Sequence, residues 1–367
     1  MAALRAVAVA GMCAGAPDEA TCLHNLGVQW QREGRYREAE EALQRSLGMT
    51  AKAVGMEHPE AAISMKALAV VYSRLGRYAE AEALHRRALE IRQKRLGAAH
   101  PDTGKSLMDL GDLYREQGRY IQAQQELRRA LAILEPALGS EHPDVAAAWN
   151  NLGSVSYAQG RLTHAESQWR RALRVFQTAL GTEHPYVAAV LSSLGELKRH
   201  TGQYAEAEEL LRRALLVREK VLGPEHPDIA LTLNLLGGVH QDRKQWAEAE
   251  GFYRQGLAVA EKAWGGEHRV VGALLTDLAE TRFELGDMAE AERLFRRAMG
   301  VYEVTLGRDH PAAAECRMAF AGLLRRVGRK REARQMEREA RSQLARHAAE
   351  NLLNHTAPLN GPRGRRP

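Results

Sequence analysis

The chain has few aromatic residues, few cysteines and no long apolar run. Phe, Trp and Tyr make up 5% of its 367 residues, against 27% charged residues, a composition typical of helices rather than of sheets. No stretch approaches the roughly 18 apolar residues that would span a membrane. The three cysteines form an odd set without CxxC spacing, which predicts no disulfide framework and a reducing, cytoplasmic location.

Catalytic and phosphate-binding motifs are missing as well. The sequence contains no nucleophile motif, phosphate loop or dinucleotide fingerprint. Catalysis needs convergent side chains, and no such set can be identified. We therefore predict that the protein is not an enzyme and holds no cofactor.

Positive charge is concentrated at one end of the chain. The net charge is +6, yet residues 325–367 contain twelve Arg and Lys against four Glu. The rest of the chain is therefore slightly acidic. The composition does not indicate that the repeat region binds nucleic acid. Any binding to nucleic acid or to an acidic surface is expected at residues 325–367.

A histidine recurs every 42 residues without a gap: His58, His100, His142, His184, His226, His268 and His310. A fixed period of this length is the signature of a solenoid of stacked supersecondary units. These histidines do not indicate a metal site. Successive units lie roughly 8–10 Å apart, whereas zinc ligands all lie about 2 Å from one ion. Each histidine is instead predicted to begin a helix, and six of the seven are followed by a proline suited to the first turn.

Small residues recur with the same period and predict close helix packing. One column in the first helix of each unit holds Gly27, Ala69, Gly111, Gly153, Gly195, Gly237 and Ala279. A column in the second helix holds Ala39, Ala81, Ala123, Ala165, Ala207, Ala249, Ala291 and Ala333. Large residues fill the adjoining layer: Leu43, Leu127, Trp169, Leu211, Tyr253 and Phe295. Each unit is thus predicted to be a hairpin of two helices in close contact.

This pattern resembles the tetratricopeptide repeat, in the 42-residue form of kinesin light chain-like and nephrocystin-like proteins. The resemblance implies an all-α, right-handed superhelical solenoid of helix-turn-helix hairpins. The predicted repeats span residues 20–61, 62–103, 104–145, 146–187, 188–229, 230–271 and 272–313. A degenerate capping repeat covers 314–347, residues 1–19 end a preceding degenerate repeat, and 348–367 form a basic disordered tail. Too little chain precedes the repeats for the coiled coil of a kinesin light chain.

The resemblance also implies that the first helices line a concave groove for a peptide or a partner helix. The candidate groove residues are Asn25, Lys66, Lys105, Asp109, Asp112, Arg115, Asn150, Asn151, Ser154, Ser193, Glu196, Asn234, Asp277 and Glu280. Asn both donates and accepts hydrogen bonds, so it suits a peptide backbone. The same residues are equally compatible with a plain solvated helix face.

Charge along this predicted groove changes sign. Lys66, Lys105 and Arg115 lie in the early repeats, and Glu196, Asp277 and Glu280 in the later ones. The N-terminal groove is therefore expected to prefer acidic peptides. We predict a non-catalytic scaffold or adaptor that binds another protein, with self-association possible through the N-terminal repeat. Two alternatives stay open: a nucleic-acid- or acidic-surface-binding protein that uses the Arg-rich C-terminal segment, and the repeat part of a larger signalling protein.

Overall fold

A computed structural model describes Cys13 and residues 18–356, with the backbone alone at Arg32 and over 347–356. Every regular element in that part of the chain is a helix, which confirms the all-α prediction. The helices are α1 (Glu19–Arg32), α2 (Tyr36–Val54), α3 (Pro59–Arg74), α4 (Tyr78–Leu96), α5 (Pro101–Glu116), α6 (Tyr120–Leu138), α7 (Pro143–Ala158), α8 (Leu162–Leu180), α9 (Pro185–His200), α10 (Tyr204–Leu222), α11 (Pro227–Asp242), α12 (Trp246–Trp264), α13 (Arg269–Glu284), α14 (Met288–Thr305), α15 (Pro311–Arg326) and α16 (Lys330–Thr356).

Consecutive helices pack as antiparallel hairpins. The odd-numbered helices are called A helices here and the even-numbered ones B helices. The described residues divide into two compact units, the first ending at Leu197 and the second beginning at Lys198. In each unit an A helix packs on its own B helix, and that B helix packs on the next A helix. Neighbouring A helices also touch, as α1 touches α3 and α11 touches α13.

Each A helix from α3 to α15 begins with a histidine cap, whereas Asp18 caps α1. The Nδ1 atom of the repeated histidine accepts the backbone N–H two residues later, at 3.1–3.3 Å in all seven repeats. An accepting Nδ1 requires the neutral tautomer with its proton on Nε2. The prediction that these histidines begin helices is thus confirmed. The A helices that follow a His-Pro pair start three residues before the predicted repeat boundaries, as Pro59 shows against residue 62.

The small residues sit where two helices of a hairpin approach most closely. A Cβ atom added at Gly27 would lie 2.6 Å from Leu43 Cγ, and one at Gly237 would lie 2.4 Å from the Tyr253 ring. Real Cβ contacts are not this short, so a larger residue would push the helices apart. The periodic glycines and their large partners therefore set the spacing within a hairpin, as the sequence predicts.

Two expectations about the chain ends are corrected. Cys13 and Cys22 form a disulfide, so the predicted absence of disulfides is wrong. The cysteines therefore no longer support the predicted reducing location. The two cysteines are nine residues apart in sequence, a spacing that matches no redox or metal motif. Helix α16 continues to Thr356, so residues 348–356 are helical rather than disordered. The rest of the expected tail, 357–367, and residues 1–12 and 14–17 lie outside the described residues.

Candidate functional site

The predicted groove residues all lie on A helices, on a surface that we call the A-helix face. It consists of the exposed or half-buried polar side chains of α1, α3, α5, α7, α9, α11 and α13. Asn25 is exposed, and the other thirteen predicted residues are half-buried. A partner could therefore reach them, while each still packs partly against its neighbours. How these side chains pair with one another differs between the two units.

In the first unit, cations on the A-helix face are paired with acids from neighbouring helices. Lys66 Nζ lies 2.9 Å from the carboxylate of Asp109. Lys105 Nζ lies 3.2 Å from Asp144 and 3.3 Å from Asp102. Partial burial disfavours the charged form of Lys105, but the two carboxylates outweigh it and raise its pKa. The basic surface expected from sequence is thus neutralised locally by acids that the repeat stacking places beside it.

A third predicted cation, Arg115, is held by its own helix. Its guanidinium donates to Asp112 at 2.7 Å, three residues earlier. Burial opposes its charge, but Asp112 raises the pKa of Arg115 all the same. Arg74, one repeat earlier, pairs with Glu116 at 3.2 Å. None of these cations is therefore available to an acidic peptide without displacing an acid of the protein.

The small polar residues of the face are mostly bonded within their own helices. The Ser154 hydroxyl donates to the Asn150 carbonyl at 3.2 Å, and the Ser193 hydroxyl donates to Ala189 at the same distance. The Asn150 amide donates to Asn151 at 3.4 Å. Asn25 has no side-chain hydrogen bond to another described residue. Of the predicted asparagines, Asn25 and Asn151 are accordingly the ones with the most free hydrogen-bonding capacity for a peptide backbone.

A cavity of about 60 Å³ opens between α3 and α5 in the first unit. His85, from helix α4, lines it with the acids Asp109, Asp112 and Glu116. The His85 side chain is only 4% exposed, and burial lowers its pKa, so the imidazole is neutral. This volume suits the end of one small side chain or a few water molecules. It makes this part of the face a recess rather than a flat surface.

In the second unit, acids on the face are paired with amides instead of cations. The Asn234 amide donates to Asp277 at 2.7 Å, and the Gln241 amide donates to Glu280 at 3.1 Å. Burial raises the pKa of Asp277 to about 6, although the Asn234 hydrogen bond and Arg199 act against it. Burial and the neighbouring Asp277 also raise the pKa of Glu280. The acidic character expected for the later repeats therefore lies on carboxylates, Asp277 and Glu280, that form no direct ion pair with a cation among the described residues.

Two contributors to the face are absent from the sequence prediction. His85 occupies the column that holds Leu43, Leu127 and Trp169 in other repeats. A polar residue in an otherwise apolar column is the sequence feature that could have identified it. Gln241 accepts the Tyr253 hydroxyl at 2.5 Å and donates to Glu280. No periodic signal marks Gln241, because its role depends on contacts to two other helices.

No helix among residues 18–356 combines the length and apolarity that crossing a membrane requires. Over the same part of the chain, His, Cys, Asp and Glu side chains do not gather in threes around a point that could hold a metal ion. The A-helix face is thus a surface of amides, carboxylates and ion pairs. Such a surface can bind hydrogen-bonding groups and charges.

The hairpin geometry agrees with the family comparison. The family model described as tetratricopeptide repeat matches residues 18–94, 67–136, 144–215, 186–262 and 270–345. The chain belongs to the tetratricopeptide repeat family, whose members are typically protein-interaction scaffolds. No curated protein matches the chain.

Several solved structures are similar to this chain. Nearly identical TPR-like repeats from a putative kinesin light chain of Podosopora anserina are 27% identical, covering 56% of this chain and 98% of that one, with a TM-score of 0.47. BtubC (BKLC) from P. vanneervenii is 24% identical over 65% of this chain and 92% of its own, with a TM-score of 0.50. The apo form of RapI is 16% identical over 76% and 96%, with a TM-score of 0.58. The two last likenesses concern the fold alone.

Proposed function

We propose that the protein is a non-catalytic scaffold that binds a peptide segment or a helix of another protein along its A-helix face. The observation that carries the proposal is that half-buried polar side chains bridge neighbouring A helices within each unit. Such groups are fixed by their contacts before a partner arrives, which reduces the ordering cost of binding. Within each unit the surface is contributed by consecutive hairpins, so it suits an elongated partner segment.

The two units would favour different parts of such a partner. Ion pairs balance the face of the first unit, so recognition there rests on Asn25, Asn151 and the His85 cavity. In the second unit, Asp277 and Glu280 give acceptors without cations, which suit basic or amide groups. The preference for acidic peptides expected at Lys66 and Lys105 is therefore replaced by hydrogen bonding in the first unit and basic groups in the second.

Site-specific photocrosslinking tests the proposal. The full chain would carry a photoreactive phenylalanine at Asn25, Asn151 or Asn234 and be irradiated in extract of its native cells. Matched controls carry the same group at Ile121, Leu216 or Val304, B-helix side chains that are 72%, 65% and 67% exposed. We expect one discrete protein adduct from the A-helix positions and none from the B-helix positions. Equal adducts from both sets would contradict the proposal.

A further inference from the structure

The last helix carries a stripe of four exposed arginines, which we call the arginine stripe: Arg331, Arg334, Arg338 and Arg341. Their spacing of three, four and three residues places them on one face of α16. The stripe extends about 15 Å along the helix. Side chains are described over residues 18–346, except at Arg32. Among them, no carboxylate lies within ion-pair distance of any of the four arginines.

Elsewhere on the B helices, arginines of the same column are paired. Arg86, Arg170, Arg212 and Arg296 each bind the glutamate four residues earlier, at 2.6–2.9 Å. Arg338 is their equivalent, but the residue four positions before it is Arg334 rather than glutamate. The position of the glutamate–arginine ion pair of other repeats is therefore occupied by two positive charges, Arg334 and Arg338.

The replaced glutamate also joins one hairpin to the next. Glu40 lies 2.7 Å from Arg77 in the following turn, Glu82 lies 2.6 Å from Arg119, and Glu292 lies 2.7 Å from Arg329. Arg334 stands in this glutamate's column at the last hairpin. A further hairpin of the same type would bring its own turn arginine against Arg334, and the two would repel.

The apolar part of the same joint is also replaced. Leu47, Leu89 and Leu131 occupy the column of Arg341, and they are 9%, 9% and 6% exposed beneath neighbouring helices. Arg341 is exposed and charged. Two of the four stripe positions, Arg334 and Arg341, therefore stand in columns that meet the next hairpin in the inner repeats, and their charge disfavours a hairpin of this chain there. The columns of Arg331 and Arg338 are exposed in the inner repeats.

We propose that the arginine stripe is a docking surface for an acidic helix of a partner protein. Arg334 and Arg341 stand in columns that meet the next hairpin in the inner repeats, and at Arg334 the charge that a partner must supply is reversed in sign. Carboxylates spaced along one side of a partner helix would meet Arg331, Arg334, Arg338 and Arg341 in turn. Guanidinium groups bind carboxylates through paired hydrogen bonds, and exposed ones lose little hydration on binding. This surface is separate from the A-helix face, so either proposal can fail alone.

The test uses the full chain and a labelled, alanine-rich helical peptide with glutamates along one side. In fluorescence anisotropy at low salt, we expect binding that weakens as salt is raised. Replacing all four stripe arginines with glutamine should lower the affinity roughly tenfold or more, since each exposed pair contributes a modest amount. The matched control replaces Arg86, Arg170, Arg212 and Arg296 with glutamine and should leave the affinity within about twofold.

Three results would contradict the proposal. Equal affinity of the stripe variant and the wild-type chain, with unchanged helical circular dichroism, would overturn the proposal. So would equal binding of the same peptide with lysine in place of glutamate. A single-stranded oligonucleotide of matched charge that binds more tightly than the acidic peptide, and loses that binding in the stripe variant, would assign the stripe to nucleic acid and contradict an acidic helix. A variant with lysine at all four positions should retain part of the peptide affinity, because it keeps the charge.

Discussion

The A-helix faces of the two units use the same positions for different chemistry. Lys66 and Asn234 occupy the same column, and their partners Asp109 and Asp277 also correspond. In the first unit the contact is an ion pair at 2.9 Å, and in the second it is an amide–carboxylate hydrogen bond at 2.7 Å. Repeat geometry therefore determines which two side chains come into contact. The residue type in the column of Lys66 and Asn234 determines whether the charge of the aspartate is compensated.

Close helix packing is the feature that both units share, and its loss should have the largest effect. We expect Gly111→Ala in the first unit and Gly237→Ala in the second to lower the free energy of unfolding by about 1–3 kcal/mol each. The added Cβ would lie 2.7 Å from Leu127 and 2.4 Å from Tyr253. Urea denaturation followed by circular dichroism measures both.

Gly48→Ala is the control for these substitutions, because nothing lies within 4 Å of its added Cβ. It should stabilise α2 by up to about 1 kcal/mol, since glycine is a poor helix former. If Gly111→Ala behaved like Gly48→Ala, the close approach would not determine hairpin stability.

Neutralising the paired acid should have opposite effects in the two units. The raised pKa of Asp277 means that its contribution to stability is greatest below its unfolded pKa of about 3.9 and is lost as pH rises through about 6. We therefore expect Asp277→Asn to stabilise the protein by about 1–2 kcal/mol near pH 7.5, and to lose that advantage near pH 4. Thermal unfolding at the two pH values measures this.

The corresponding change in the first unit is Asp109→Asn. It removes the carboxylate that neutralises Lys66, so it should destabilise by up to about 1 kcal/mol near pH 7.5. Stabilisation by both substitutions would mean that the ion pair and the hydrogen bond do not differ in the way described.

Giving Asp277 the kind of partner that Asp109 has should lower its pKa. In Asn234→Lys an ammonium group would face Asp277, so the pKa of Asp277 should fall from about 6 toward the ordinary value for aspartate. Carbon NMR titration of the Asp277 carboxyl measures this change. An unchanged pKa of Asp277 in Asn234→Lys would place the cause of its shift elsewhere.

A backbone difference between the units should produce the smallest effect. Lys244 has φ of 59° at a turn position where Gly118 has φ of 72°, and it is the only non-glycine residue with positive φ among residues 18–356. An L residue in this conformation costs about 1 kcal/mol relative to glycine. Lys244→Gly should therefore raise the urea midpoint slightly. A lower midpoint would show that the Lys244 side chain contributes more than its backbone strain costs.

Individual residues show how far the sequence could predict the site. Gly237 against Tyr253 was predictable, since both recur at a fixed period and only a small residue fits beside a large one. The placement of Lys66 and Asp277 on the A helices was predictable for the same reason. The partner of each residue was not predictable, because Lys66 contacts Asp109, which lies 43 positions later on a neighbouring helix. The ion pairs within the predicted basic groove could not be derived at this step, since charges counted along a sequence carry no record of which acid lies beside which cation.

The sequence by itself determined the repeat, the helical hairpins, their histidine caps and their close packing, because each depends on residues that recur at a constant spacing. The tertiary structure alone decided the electrostatics of the A-helix face, the His85 cavity and the Cys13–Cys22 disulfide. It also showed that Arg334 and Arg341 of the arginine stripe stand in columns that meet the next hairpin in the inner repeats. These features depend on single residues that depart from the repeat and on neighbours distant in sequence, and burial by those neighbours sets their charge state.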